Sequence, residues 1–204
     1  MLYYVSGIIL KIVYFVLKPF KIRGKDKIPK VGEPLIVVAN HIDEFDPWKI
    51  GSCLPLGMPI RWFAKRELYS IKDMHKEYCS AMNNWVLARV AAICTVFTVR
   101  FSLTIPVDRE REKAKINRLA IKKALELLGR GKVIGIFGEG GMYREGKVRS
   151  IFVSLAAKTG AKILPVKIEL GKITFGKAMV CENGCDAKRR ASEIMNGIYR
   201  LSEA

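Results

Sequence analysis

The stretch VANHIDEFDPW, residues 38–48, places one of the chain's two histidines, His41, just past an apolar run and an aspartate, Asp46, five residues further on. A histidine held at one ring nitrogen by a carboxylate can take a proton with the other near neutral pH, which is the base-and-orienter half of a catalytic triad. The third member, a protein nucleophile, has no Gly-x-Ser-x-Gly turn to supply it. A substrate hydroxyl then fills that role. His41 would remove its proton as it attacks an activated acyl group, a contribution of typically about 100- to 10,000-fold.

Such a pair needs a scaffold that fixes the loop. LIVVAN, residues 35–40, is a short continuous run rich in β-branched residues and reads as a buried strand, so that His41 lies in the loop at its C-terminal end. PIRWFAK from Pro59 is a second strand, followed by ELYSI as a turn or the start of a helix. Met74 to Ala92 reads as helical, and ICTVFTVRFSLTIPV, ending at Val107, as rich in β-formers. Asp108 is placed to cap a helix from about Arg109 to Leu128, with apolar residues at helical spacing from Ile116 to Leu128 and Gly129 at its end. KVIGIF is a strand that runs into the glycine-rich GEGGMYREG; a helix from Ser150 to Lys158 stops at Gly160, KILPVKI is another strand, and a closing helix spans Asp186 to Leu201. Strands alternating with helices predict an α/β fold whose active residues sit in loops past strand ends.

The 204 residues, half of them apolar, suit one globular unit. Lys and Arg number 36 against 19 Asp and Glu, a formal +17, which attracts anionic headgroups, phosphorylated substrates or nucleic acid. The aromatics sit in apolar runs and are not interleaved with bases, which argues against a nucleic-acid module. Five cysteines without a disulfide-framework spacing indicate a reducing compartment. Cys181 and Cys185 lack the second ligand pair of a metal site, so no metal is expected. LYYVSGIILKIVYFVLKPF is about as long as a membrane-spanning helix, but Lys11 at its middle costs about 2.5–3.5 kcal/mol in a bilayer centre. A helix lying in the interface competes well with a span. The basic cluster Lys11, Lys18, Lys21, Arg23, Lys25, Lys27 and Lys30 would hold the chain on an anionic cytoplasmic leaflet. The division expected is a membrane-associated apolar helix over 1–22 and a catalytic domain over 23–204.

NHIDEFD resembles the Asn-His-x4-Asp block of the lysophosphatidic acid and glycerol-3-phosphate acyltransferase family, and further blocks follow in the family's order. AKREL (64–68), IPVDR ending at Arg109, FGEGGMYREG and ILPVKI are similar to its later blocks, together covering about residues 35–168. The resemblance implies an α/β domain, a mixed sheet flanked by helices, on the cytoplasmic side of a membrane. It implies acyl transfer from acyl-CoA or acyl carrier protein to the free hydroxyl of a lysophospholipid, chiefly 1-acylglycerol-3-phosphate, giving phosphatidic acid with no bound cofactor. His41 would be the base and Asp46 its orienter; Lys65 and Arg109 would bind the acceptor's phosphate, and Glu139 and Gly140 would shape the acceptor site. By chemistry, Glu139 among so many cations suits a hydrogen-bonded loop anchor better than a second acid catalyst.

The third block departs from the family, with Gly138, Gly141 and Met142 where Pro, Thr and Arg are usual. Arg144 or Lys147 is the expected substitute for the missing arginine. The alternatives are a family member with a different acceptor, or a non-catalytic basic protein that binds membrane surfaces or nucleic acid.

Overall fold

A computed structural model describes residues 20–108, 114–141 and 147–201. Its strands are β1 (Lys21–Arg23), β2 (Leu35–Ala39), β3 (Ile60–Lys65), β4 (Ile105–Val107), β5 (Val133–Phe137), β6 (Lys162–Glu169) and β7 (Lys172–Phe175). The helices are α1 (Asp46–Cys53), α2 (Ile71–Ala81), α3 (Trp85–Phe101), α4 (Ala114–Gly129), α5 (Ile151–Thr159) and α6 (Ala187–Arg200). The strands form one sheet in the order β1-β7-β6-β2-β5-β3-β4, and only β6 and β7 run antiparallel.

β2 sits at the centre because its sequence demands it. All five residues of LIVVA are fully buried, as a parallel strand covered on both faces requires. Ile36, Val38, Ile134, Ile136 and Ile163 face one layer, made by α4, α5 and α6 through residues such as Leu128, Phe152 and Ile194. Leu35, Val37, Ala39, Leu164 and Val166 face the other, where Ile50, Cys53 and Leu54, from α1 and the residue after it, close the core. The carboxyl ends of β2, β5 and β3 therefore meet at one edge, where open α/β sheets place their ligands.

Several sequence expectations need correction. Of the helix expected over 1–22, residues 1–19 lie outside the described residues, and Lys21 and Ile22 are strand. The Lys21 N–H donates to the Gly171 carbonyl at 2.8 Å and β1 pairs in parallel with β7, so the sheet begins before residue 23. Among the described residues no helix is long and apolar enough to cross a membrane. The single helix expected from Met74 to Ala92 is two, broken at Met82–Asn84, where Asn84 Oδ1 accepts the N–H groups of Val86 and Leu87 and starts α3. The run expected to be β-rich is helix as far as Phe101, since a good cap and the packing of Ala92 and Val96 on Met74 outweigh the modest helical penalty of Val, Ile and Thr. Strand structure there is confined to Ile105–Val107. Asp108 is bracketed by the side chain of Asn117, which accepts its N–H and donates to its carbonyl, both at 2.9 Å.

Candidate active site

Asn40 ends β2 and decides where the chain turns away. Its Nδ2 donates to the Ile168 carbonyl at 2.8 Å and its Oδ1 accepts the Ile168 N–H at 2.7 Å, so a buried side chain continues the sheet pairing with β6. The main chain is thereby released at His41, which is partly buried.

His41 Nδ1 lies 2.9 Å from Asp46 Oδ2. Asp46 is fully buried in the first turn of α1, and its Oδ2 also accepts the N–H groups of Ile42 at 2.6 Å and Asp43 at 2.8 Å. Lys49 Nζ approaches Oδ1 at 3.1 Å and pairs with Asp43 as well. Burial, the largest single influence, pushes the Asp46 carboxyl up, but the donors from His41, Asp43, Ile42 and Lys49 together hold it below its ordinary value. The same pairing raises Lys49: burial opposes its charge most, and Asp43 and Asp46 outweigh it. A fixed carboxylate of this kind selects the Nδ1–H tautomer and leaves Nε2 to act on a substrate.

The imidazole is also held flat. Its ring stacks on Phe137 with centroids 3.9 Å apart and planes 9° from parallel, and Phe137 stacks on Trp62 at 4.6 Å and 13°. These rings come from the end of β5, the middle of β3 and the loop after β2. Space for the indole exists because its cross-strand partner is Gly135. A Cβ there would lie 2.5 Å from Trp62 Cδ2 and Cε3. Sequence reasoning missed this stack, whose one local sign is a glycine inside the apolar strand VIGIF.

His41 opens onto a cavity of about 890 Å³, within the range of small-molecule sites. Apolar side chains from β3, the segments on either side of it and α2, including Met58, Trp62, Phe63, Leu68 and Met74, make up much of its wall. Of the residues singled out in the sequence, Lys65 and Gly140 are among those that line it. Glu139, which the resemblance assigned to the acceptor site, does not: it is buried, and its Oε2 accepts the Tyr199 hydroxyl at 2.6 Å. Arg109 and Arg144 lie outside the described residues. Lys147 is exposed and is not part of the cavity wall.

A second cation at the cavity wall is Arg149, which the sequence did not single out. Its N–H donates to the Gly138 carbonyl at 2.7 Å, and its side chain crosses Gly140, where a Cβ would lie 3.2 Å from Nε on a backbone of φ +66°. Gly140 is thus needed twice, for its left-handed backbone and for the guanidinium above it. Among the described residues no three His, Cys, Asp or Glu side chains gather as metal ligands would.

The sheet is of mixed α/β type with the His41–Asp46 loop at the carboxyl ends of its strands, and the family model "Acyltransferase" matches residues 19–169, well over half of the chain. The chain belongs to the acyltransferase family. It is 22% identical over 150 residues to the chloroplastic 1-acyl-sn-glycerol-3-phosphate acyltransferase LPAT1 of Arabidopsis thaliana, a match over 72% of this chain and 35% of that protein. The match thus spans about a third of that relative's length. The fold matches the crystal structure of the 1-acyl-sn-glycerophosphate (LPA) acyltransferase PlsC from Thermotoga maritima with a TM-score of 0.61 at 20% identity, over 98% of this chain and 80% of that one.

Proposed function

We propose that this protein is an O-acyltransferase that moves a fatty acyl group from acyl-CoA or acyl carrier protein to the free hydroxyl of a lysophospholipid, with 1-acylglycerol-3-phosphate as acceptor and phosphatidic acid as product. The observation that carries the reading is the Asp46-held imidazole of His41 at the wall of a large, mainly apolar cavity. His41 Nε2 takes the acceptor's hydroxyl proton as the oxygen attacks the thioester carbonyl; the C–O ester bond forms, the C–S bond breaks, and the departing thiolate regains the proton from the imidazolium. Asp46 stays ionised and stabilises that imidazolium. Holding acceptor and thioester side by side supplies much of the remaining acceleration.

Lys65 and Arg149 are the cations proposed for the acceptor's phosphate, and the family resemblance adds Arg109, with Arg144 as a further candidate. A guanidinium beside Gly140 is suited to a bidentate phosphate contact and stands in for the arginine that Met142 replaces. The direct transfer needs no cofactor beyond the donor itself. The +17 charge and the basic cluster from Lys11 to Lys30 favour an anionic membrane surface at the cytoplasmic face.

The test is thiol release from palmitoyl-CoA with 1-acylglycerol-3-phosphate, with glycerol-3-phosphate as parallel acceptor. Release that depends on the lysolipid and falls at least about 1,000-fold in His41→Ala is expected. Near-normal turnover in that variant would sink the mechanism, and release with glycerol-3-phosphate alone would assign the different acceptor that the altered third block allows.

A further inference from the structure

Helix α3 is buried by its small residues and exposed by its large ones. Ala88 and Ala92 are fully buried and Val96 nearly so, on the side that meets Met74 of α2. Facing away, Val86 is 58% exposed, Val90 52%, Ile93 47% and Phe97 57%. At 100° per residue Val86, Val90, Ile93 and Phe97 fall within an arc of about 60°, one continuous ridge along the helix. A helix at a protein–water boundary carries the opposite pattern.

We infer that this ridge is a lipid-seating element, with α3 lying in the headgroup–acyl boundary of an anionic leaflet. Charge selects that occupant. Arg89 and Arg100 border the ridge and are exposed, Lys72 and Lys76 are exposed on α2, and α3 contains no acidic residue. A second copy of a +17 chain would bring like charges together at the same place. Geometry selects the depth. Seventeen residues make a rod of about 25 Å, short of the roughly 30 Å hydrocarbon core, so the helix lies along the boundary and does not cross it. Trp85 at its start, edge-on to His75 of α2 yet 67% exposed, is the residue type that settles at that level.

The ridge also borders the cavity. Cys94 and Thr98, next to it on the same helix, line the cavity wall, and the more than half exposed Phe45 and Leu56 line it too. A leaflet under α3 therefore reaches the cavity mouth, and an acyl chain can pass between the two without crossing water. That last consequence rests on the acyltransferase reading; the seating itself does not.

Full-length protein and vesicles of phosphatidylcholine with phosphatidylglycerol test it, using lipids brominated near the top of the acyl chains. Tryptophan emission of the wild type should be quenched on binding, and Trp85→Phe should lose most of that quenching. The double variant Ile93→Ser/Phe97→Ser should bind vesicles at least about tenfold more weakly, while its thiol release with detergent-dispersed acceptor stays within about threefold of wild type. Vesicle-bound protein whose Trp85 is not quenched, or unchanged binding by the double variant, would overturn the inference. Sedimentation without vesicles then assigns the ridge to a second copy if the variant dissociates a dimer, or to residues 1–19 if the protein is monomeric throughout. Quenching with no thiol release by the wild type would refute the acyltransferase reading and leave the seating intact.

Discussion

Adding one methyl group at Gly135 probes how His41 is held without touching it. The new Cβ would lie 2.5 Å from Cδ2 and Cε3 of Trp62 and 2.7 Å from Cγ2 of Ile60. Carbon atoms rest comfortably at about 3.5 Å, so the indole must retreat by about 1 Å. It is stacked on Phe137 at 4.6 Å, and Phe137 on His41 at 3.9 Å, so the displacement passes through rings in face-to-face contact to the imidazole. Overpacking of this kind costs about 1–3 kcal/mol. A 1 Å misplacement of a catalytic group can cost about 100-fold in rate. We therefore expect Gly135→Ala to lower kcat for lysolipid-dependent thiol release about 100-fold with little change in KM, and to lower unfolding free energy in guanidinium by about 1–3 kcal/mol. Trp62→Leu in the same chain should relieve the crowding, seen as a compensating coupling of about 0.5–3 kcal/mol in a double-mutant cycle. Turnover within twofold of wild type, in a Gly135→Ala protein whose near-ultraviolet dichroism shows that the indole has moved, would refute the claim that the stack positions His41.

Asp46→Asn should cut kcat by about 1,000-fold or more, because an amide cannot hold the Nδ1–H tautomer against the same donors. The Asp46 carboxyl is held below its ordinary 3.8, so its stabilising contribution is complete above that value and is lost as pH falls through the lowered one. Denaturant midpoints measured from about pH 5 down to 2 should therefore fall less steeply for Asp46→Asn than for wild type. Asn40→Ala leaves the buried N–H and carbonyl of Ile168 without their partners, and calorimetry should record a loss of at least about 1–3 kcal/mol. Arg149→Ala should raise KM for a phosphate-bearing acceptor about tenfold while leaving KM for palmitoyl-CoA within about twofold, a split that steady-state titration of each substrate resolves.

The parts of the molecule legible in the sequence are those whose cause is local. LIVVAN, VIGIF and KILPVKI announce β2, β5 and β6 because strands buried on both faces are continuous apolar runs. Asp186 announces α6 because its side chain accepts the Lys188 and Arg189 N–H groups, a bond between near neighbours. His41 and Asp46 are legible because the loop that joins them is short. What escaped is made between distant segments. β1 and β7 are only three and four residues long, and β1 takes its identity from pairing with β7. Residues 93–101 carry β-branched and aromatic side chains yet are helical, since α2 supplies the surface on which Ala92 and Val96 pack. The ring stack joins residues from three separate segments, and Arg149 reaches the cavity through a loop geometry that no spacing records.

The bond between Asn40 and Ile168 joins residues 128 apart in the chain, and it has a consequence for how the protein is made. Both neighbours of β2, β5 and β6, are synthesised long after it. At about 5–20 residues per second, translation leaves Asn40 waiting about 6–25 s for its partner. Until β5 is made, LIVVA is an unpaired apolar segment on a nascent chain, a natural client for a ribosome-associated chaperone, and one of its edges stays open until β6 follows. A product of premature termination before Lys162 would contain both His41 and Asp46 and still lack the strand that fixes their loop, so competence arrives only once β6 has been made.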